Sequence, residues 1–575
     1  MRFCGRQALG LVLVVCLLLS DLYHPVEGQQ TATACLNRVR KPWGAMTPAE
    51  QSLYVEALGV GMQKGYHILF AEVASEKTSS TEFLRTCGFL YWNRRFVLAY
   101  ENMLRSLSPK YACITIPYWD YFADYARFVE NRCENNGTSL EACSPILRGL
   151  GGSQGAARSV TVNGRTVAGN CVTNAPANSF CESSTITTAN QCAHCIPRSN
   201  WAAKTFPAGF GYAGLGVALG EASGFRDVTQ RIQTGTHNAI HNALSSVLAT
   251  YVSPADPVFF SIHATVDLLD QMYLECQLGD GVVPTAKNVS RWAFQQCVYK
   301  DEVSPTATSN VTQLWMVDSS YPTSKAAIRA EDHPKLSPFF KPLPSKYWEF
   351  VNINKLGKNS YQYNRDDLIQ NVQRYGFACP KRGTPLPTAL SSTTTATPTR
   401  TSLVARTPLE ATTELETATS SAVDTSEGAT NLDVATPNTI RKLRQVQHER
   451  QLAESGSTET DTFETEQQER AFVQEQAIDL LEATLVDALG VDGTAKTAFT
   501  QAELIECQYH YETVGIVEDY TSAFRENYGL SPYDHPRCWE LIQQMQTGRT
   551  EILVDNWHDI MEEHFNLSAN ASGSS

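Results

Sequence analysis

The stretch HNAIHNALSSVLATYVSPADPVFFSIHATVDLLD, from His237 to Asp270, constrains this chain more than any other. His237 and His241 are four residues apart, so on a helix they lie on one face, one turn from each other. Asp256 and Pro257 are a helix start, with Asp as N-cap and Pro at the first helical position. His263 then falls about two turns into that second helix. Three imidazoles, two on one helix and one on a partner helix, can converge on a single metal ion. The alternative is three histidines packed in a core with no metal.

At 575 residues the chain has room for three or four domain-sized segments. Its formal charge of -14 disfavours nucleic acid or an anionic membrane surface as a partner. Residues 1–28 read as a signal peptide: Arg2 and Arg6 form the basic start and Leu9 to Leu19 the apolar run. That run is short for a membrane span, and no other segment is a transmembrane candidate. The expected location is therefore secreted, extracellular or in a cell wall. Of 16 cysteines, Cys4 and Cys16 leave with the signal peptide, and the even remainder is expected to form disulfides of open connectivity. Sequons at Asn136, Asn288, Asn310, Asn566 and Asn570 make the chain a candidate glycoprotein.

Residues 34–377 read as one globular domain. Thr47, Pro48 and Glu50 form a capping box at its first helix, and an apolar face with Phe89, Phe96, Val97, Tyr100 and Leu104 predicts a second from about Phe89 to Leu107. Asn93 shares that face. From Cys133 to Cys195 the Gly, Ser, Asn and Cys content predicts stapled loops with little regular structure. Residues 378–438 form a Ser/Thr/Pro-rich, mucin-like linker that cannot build a core. Residues 439–475 read as a charged helical linker, 476–565 as a helical C-terminal domain and 566–575 as a disordered tail. In the C-terminal domain Cys507, His510, His535 and Cys538 have zinc-like spacing within each half, but in an oxidising compartment a Cys507–Cys538 disulfide competes with that reading. The cysteines of CAHC, Cys192 to Cys195, read as disulfide partners.

The His237–Asp270 stretch resembles the second-copper motif of the type-3 copper family of tyrosinases, catechol oxidases and hemocyanins. RVRKPWGAMTPAEQSLYVEAL (Arg38 to Leu58), WNRRFVLAYE (Trp92 to Glu101), IPYWDYFAD (Ile116 to Asp124) and LGKNSYQY (Leu356 to Tyr363) are similar to further segments of that family. The resemblance spans roughly residues 36–376. It implies a mainly α fold, with a tyrosinase-like core built on a four-helix bundle and long disulfide-stapled loops. A disordered stalk and the small helical C-terminal domain would follow. It also implies two coppers, each on three histidines, with dioxygen bound between them and phenolic compounds as substrates.

Carried over residue by residue, the second trio is intact as His237, His241 and His263. The first is not. His67 fits the family's first ligand, but Leu84 and Asn93 stand at the second and third positions. Leu84 cannot ligate, and an amide carbonyl suits harder ions than copper. Val228 stands where the family has an acidic residue, whereas Asn238 matches its water-binding Asn. Arg94, Glu101, Trp119 and Asp120 are also retained, and Asp267, one turn after His263, is expected to pair with Arg94 or Arg95.

These residues predict a secreted, tyrosinase-like copper protein holding one copper per chain, with oxidation of phenols or catechols weak or altered. Two coppers would need a ligand such as His194 or a partner's histidine. The alternative is a non-enzymatic extracellular or cell-wall glycoprotein that uses the fold as a binding scaffold. The catalytic residues and the substrate are open.

Overall fold

The computed structural model describes residues 35–294 apart from 36, 85, 221 and 280, then 297, 315–317, 327–365, 484 and 495–564. The expected signal peptide, both expected linkers, the expected tail and most of residues 476–494 lie outside these residues.

The first helix, α1 (Pro48–Gln63), starts where the capping box predicts. The Thr47 hydroxyl accepts from the Glu50 N–H, and the Glu50 carboxylate accepts from the Thr47 N–H. Such a cap is worth about 1 kcal/mol. Helix α2 (His67–Ser75) follows after a turn at Gly65, which sits at φ 68°. Helix α3 (Gly88–Ser106) is buried almost along its whole length. Helix α4 (Tyr121–Val129) is capped by Asp120, whose carboxylate accepts from the Ala123 N–H.

Three further helices, α5 (Tyr212–Gly220), α6 (Phe225–Ile232) and α7 (Asn238–Leu244), lead to α8 (Val258–Leu278). Helix α8 begins one residue later than the sequence predicts. Pro257 takes the N-cap position, and Asp256 reaches past it to accept from the Val258 N–H at 3.1 Å. Helices α2, α3, α7 and α8 form the centre, and their apolar faces share one hydrophobic core.

The expectation of irregular loops between Cys133 and Cys195 is corrected. Strands β2 (Ala156–Val162), β3 (Arg165–Val172) and β4 (Ile196–Arg198) make an antiparallel sheet. The hairpin turns on Asn163 and Gly164, both at positive φ. An Asn-Gly pair between alternating valines is a strong hairpin signal, and here it outweighed the local Gly and Ser content. The stapling is also present, through Cys133–Cys143, Cys171–Cys195 and Cys181–Cys192. Strand β1 (Arg38–Arg40) pairs in parallel with a strand at Tyr361–Tyr363, which ties the domain's two ends together.

The described C-terminal residues form α9 (Ala495–Val514), α10 (Ser522–Tyr528), α11 (Arg537–Gln546) and α12 (Trp557–His564). The sequence set 476–565 apart as a domain, but these helices group with the N-terminal core in one compact unit. Ala498, Phe499, Ala502 and Ile505 belong to the same hydrophobic core as α8. The Glu506 carboxyl accepts from the Ala213 N–H at the start of α5 and is pushed up to about 8 by burial. No helix among the described residues is long and apolar enough to cross a membrane.

Candidate metal centre

His237 ends a π-helical turn, Gln233–His237, and His241 follows one turn later on α7. His263 projects from α8. The ring centroids are 4.6 Å (His237–His241), 5.0 Å (His237–His263) and 5.7 Å (His241–His263) apart. One nitrogen from each ring lies within 4.8 Å of the others, and this is the metal-competent cluster among the described residues.

Hydrogen bonds set the tautomers. His241 Nδ1 lies 2.7 Å from the Leu248 carbonyl. A carbonyl only accepts, so Nδ1 carries the proton and Nε2 keeps its lone pair. His237 Nδ1 faces the Asn238 side-chain oxygen at 2.9 Å and the Gln233 carbonyl at 3.3 Å, with the same result. His241 Nε2 and both nitrogens of His263 are buried without a hydrogen-bond partner. Orphaned buried nitrogens cost on the order of 1–3 kcal/mol each; a metal ion would satisfy the ligating ones. Burial pushes His237 down to about 4, and burial with mutual repulsion lowers His241 and His263 well below the ordinary range. The trio is therefore neutral near pH 7, the state that binds a metal.

Aromatic rings wall the site. Phe259 stacks on His263 at 4.0 Å, and the edge of Phe89 meets His237 at 4.9 Å. Asn93 is buried one turn after Phe89. Its side-chain N–H donates to the Phe89 carbonyl at 2.7 Å, and its Oδ1 is unpartnered.

His67 is differently engaged. Its Nε2 lies 2.8 Å from the Ala255 carbonyl, which requires a proton there, and its Nδ1 then accepts from the Tyr100 hydroxyl at 2.6 Å. Both nitrogens are thus committed to protein partners. Leu84 packs in the small apolar cluster of Tyr520, Phe524 and Tyr528. Val228 is fully buried. His194 is exposed, bonded to the carbonyls of Asn178 and Ala189.

Behind the trio lies a buried charge network. Asp267 accepts from Arg94, from Arg40 at 3.0 Å and from the Tyr361 and Tyr363 hydroxyls at 2.6 Å each. Arg94 also reaches Asp270 at 2.8 Å, while Arg40 and Arg38 pair with Glu101. Arg95 instead pairs with Glu331 at 2.6 Å. Asp267 is held below the usual carboxylate range by Arg94 and Arg40 against the opposing effect of burial, whereas burial pushes Asp270 up to about 7. The network fixes α8, and with it His263, against α3 and β1.

The C-terminal segment contributes to this centre as well. Tyr528 on α10 stands 5.7 Å from the His241 ring and 6.3 Å from His237, and donates to the Leu248 carbonyl at 3.0 Å. Tyr520, Phe524 and Tyr528 recur every four residues, a stripe that predicts a buried helical face but not what it covers. The zinc reading of the C-terminal segment is set aside by geometry. Cys507 and Cys538 are bonded to each other, His510 meets Tyr125, and His535 meets Asp519. Cys192 and Cys195 are likewise in disulfides.

Three buried imidazoles brought to one point in an α-helical core make a candidate metal centre. Residues 64–275 match the common central domain of tyrosinase, and the likeness to the tyrosinase family rests on this stretch. Tyrosinases of Streptomyces antibioticus and Streptomyces glaucescens are each 26% identical over 249 and 271 residues, covering 40% and 43% of this chain and 81% and 86% of theirs. A polyphenol oxidase variant from Thermothelomyces thermophila aligns at 16% identity and TM-score 0.35, over 61% of this chain and 95% of its own.

Proposed function

We propose that the chain is a secreted tyrosinase-family protein that holds one copper ion on His237, His241 and His263. The carrying observation is the contrast between two sets of nitrogens. The trio presents buried lone pairs to a common point, whereas both nitrogens of His67 are bonded to Tyr100 and Ala255. Neutral imidazole suits copper. When bound, copper would supply the redox chemistry by which the family oxidises phenols with dioxygen.

The chain's own residues do the rest. Leu248, Asn238 and Gln233 keep the Nδ1 protons of His241 and His237 turned away from the metal. Asp267 with Arg94 and Arg40 holds the helix that carries His263. Phe259, Phe89 and Tyr528 exclude water. Leu84, Asn93 and Val228 leave a second copper and a nearby carboxylate base without residues to provide them, so turnover of phenols is weak or altered. Disulfides such as Cys35–Cys113 and Cys87–Cys297 support an oxidising, extracellular setting.

The test is copper per chain after reconstitution, with oxygen uptake on a catechol and on a monophenol. One copper with little monophenol hydroxylation is expected. Two coppers, or none, would overturn the reading. The burial of the trio beneath Tyr528 favours a second reading, a non-enzymatic extracellular glycoprotein that uses the fold as a scaffold. Copper binding without any catechol oxidation would select it.

A further inference from the structure

The element that carries His241, with His237 at its N-cap, is poorly supported by itself. Helix α7 is seven residues long, and isolated helices of that length are not stable. It is entered through a π-turn whose Gly235 has non-helical backbone angles, and it ends at Ser245 and Ser246, both at positive φ. The ligands His237 and His241 must nevertheless stay in register with His263 on a different helix.

One distant segment grips α7 and its flanks at three points. Before the helix, the Tyr520 hydroxyl donates to the Thr234 carbonyl at 2.6 Å, inside the π-turn. Within the helix, one turn below His237 and next to His241, the Asn242 amide is held from both sides. Its N–H donates to the Asp519 carbonyl at 3.3 Å, and its oxygen accepts from the Thr521 N–H at 3.1 Å. After the helix, the Tyr528 hydroxyl and His241 Nδ1 share the Leu248 carbonyl, at 3.0 and 2.7 Å. Tyr520 and Tyr528 are themselves fixed by stacking on the fully buried Phe524.

We infer that residues 519–528 are a clamp that holds His237 and His241 in metal-binding geometry, with Tyr520 and Tyr528 as positioning residues. The inference rests on the proposed copper site. It makes a prediction opposite to that of a simple cover: loosening the segment should weaken the metal site rather than merely open it. Residues that orient metal ligands from outside typically change metal affinity by roughly 10–100-fold when altered.

The experiment uses the full chain as wild type, Tyr520→Phe, Tyr528→Phe, the double variant and Asn242→Ala. Each is titrated with Cu(II) against a competing chelator and examined by electron paramagnetic resonance. Melting of the metal-free proteins separates loss of fold from loss of positioning. The Phe variants keep the rings and their packing, so metal-free melting should change little. Copper affinity should fall at least about 10-fold in the double variant, with altered copper hyperfine splitting. Wild-type affinity and an unchanged spectrum in the double variant and in Asn242→Ala, or tighter binding, overturn the clamp while leaving the copper site standing. A wild-type chain that takes up no Cu(II) overturns the copper site itself, and the clamp with it.

Discussion

Replacing Asp267 with alanine should destabilise the N-terminal core severely. Asp267 is buried and receives four donors: two guanidinium groups and two tyrosine hydroxyls. Its removal leaves Arg94 with Asp270 and the Phe350 carbonyl, and Arg40 with Glu101. In the intact chain burial opposes the charge of both arginines and their partners, Asp267 among them, outweigh it, so the substitution takes a compensating charge from each. Breaking one side of a buried ion pair costs about 3–5 kcal/mol. Two hydroxyls left to find new acceptors add on the order of 1–3 kcal/mol, less where they rotate to a neighbour. A loss of roughly 4–8 kcal/mol is therefore expected from these two contributions, toward the lower end where the hydroxyls find a neighbour. Urea unfolding of the metal-free chain, followed by tryptophan fluorescence, measures it. Asp227→Asn is the control, because the Asp227–Arg231 pair is only half-buried on one helix and an amide oxygen can still accept from the Ser223 N–H; it should cost only about 0.5 kcal/mol. An Asp267→Ala loss no larger than that of the control would mean that the network does not hold α8, and the account of its role would be wrong.

His263→Ala should remove most copper from the chain, measured by mass spectrometry of metal content, because two imidazoles from one helix cannot hold the ion as three do. His510 should make the unit sensitive to acid. It is buried against Tyr125 and Phe128, and burial pushes it down to about 4 from an ordinary value near 6.5. A lowered histidine means that the unfolded chain binds the extra proton first. Its contribution is thus complete above pH 6.5 and is lost as pH falls toward 4, in total roughly 3 kcal/mol. His510→Phe should flatten that part of the stability–pH curve, and an unchanged curve would contradict the assignment.

The trio was legible in the chain because its determinants are local. A spacing of four within one helix and a helix start at Asp256–Pro257 fix where three imidazoles point. That Asp267 pairs with Arg94 or Arg95 was also legible, since these residues stand on facing helices; the structure chooses Arg94 and gives Arg95 to Glu331. The loss at Leu84 and Asn93 could be read from residue type, because a ligand needs a lone pair. The Asn163-Gly164 hairpin was available in the sequence as well, but the surrounding Gly, Ser and Cys content masked it.

Only the tertiary structure decided the partners that arrive from far along the chain. Nothing local says that both nitrogens of His67 are taken by Tyr100 and Ala255, or that Arg40 and Tyr363 converge on Asp267. Nothing local says that Tyr520 and Tyr528 reach the turns on either side of α7. Sequence pattern reports which face of an element is apolar. It does not report which other element buries that face, because packing is set by shape and by unpaired polar groups brought together from hundreds of residues apart.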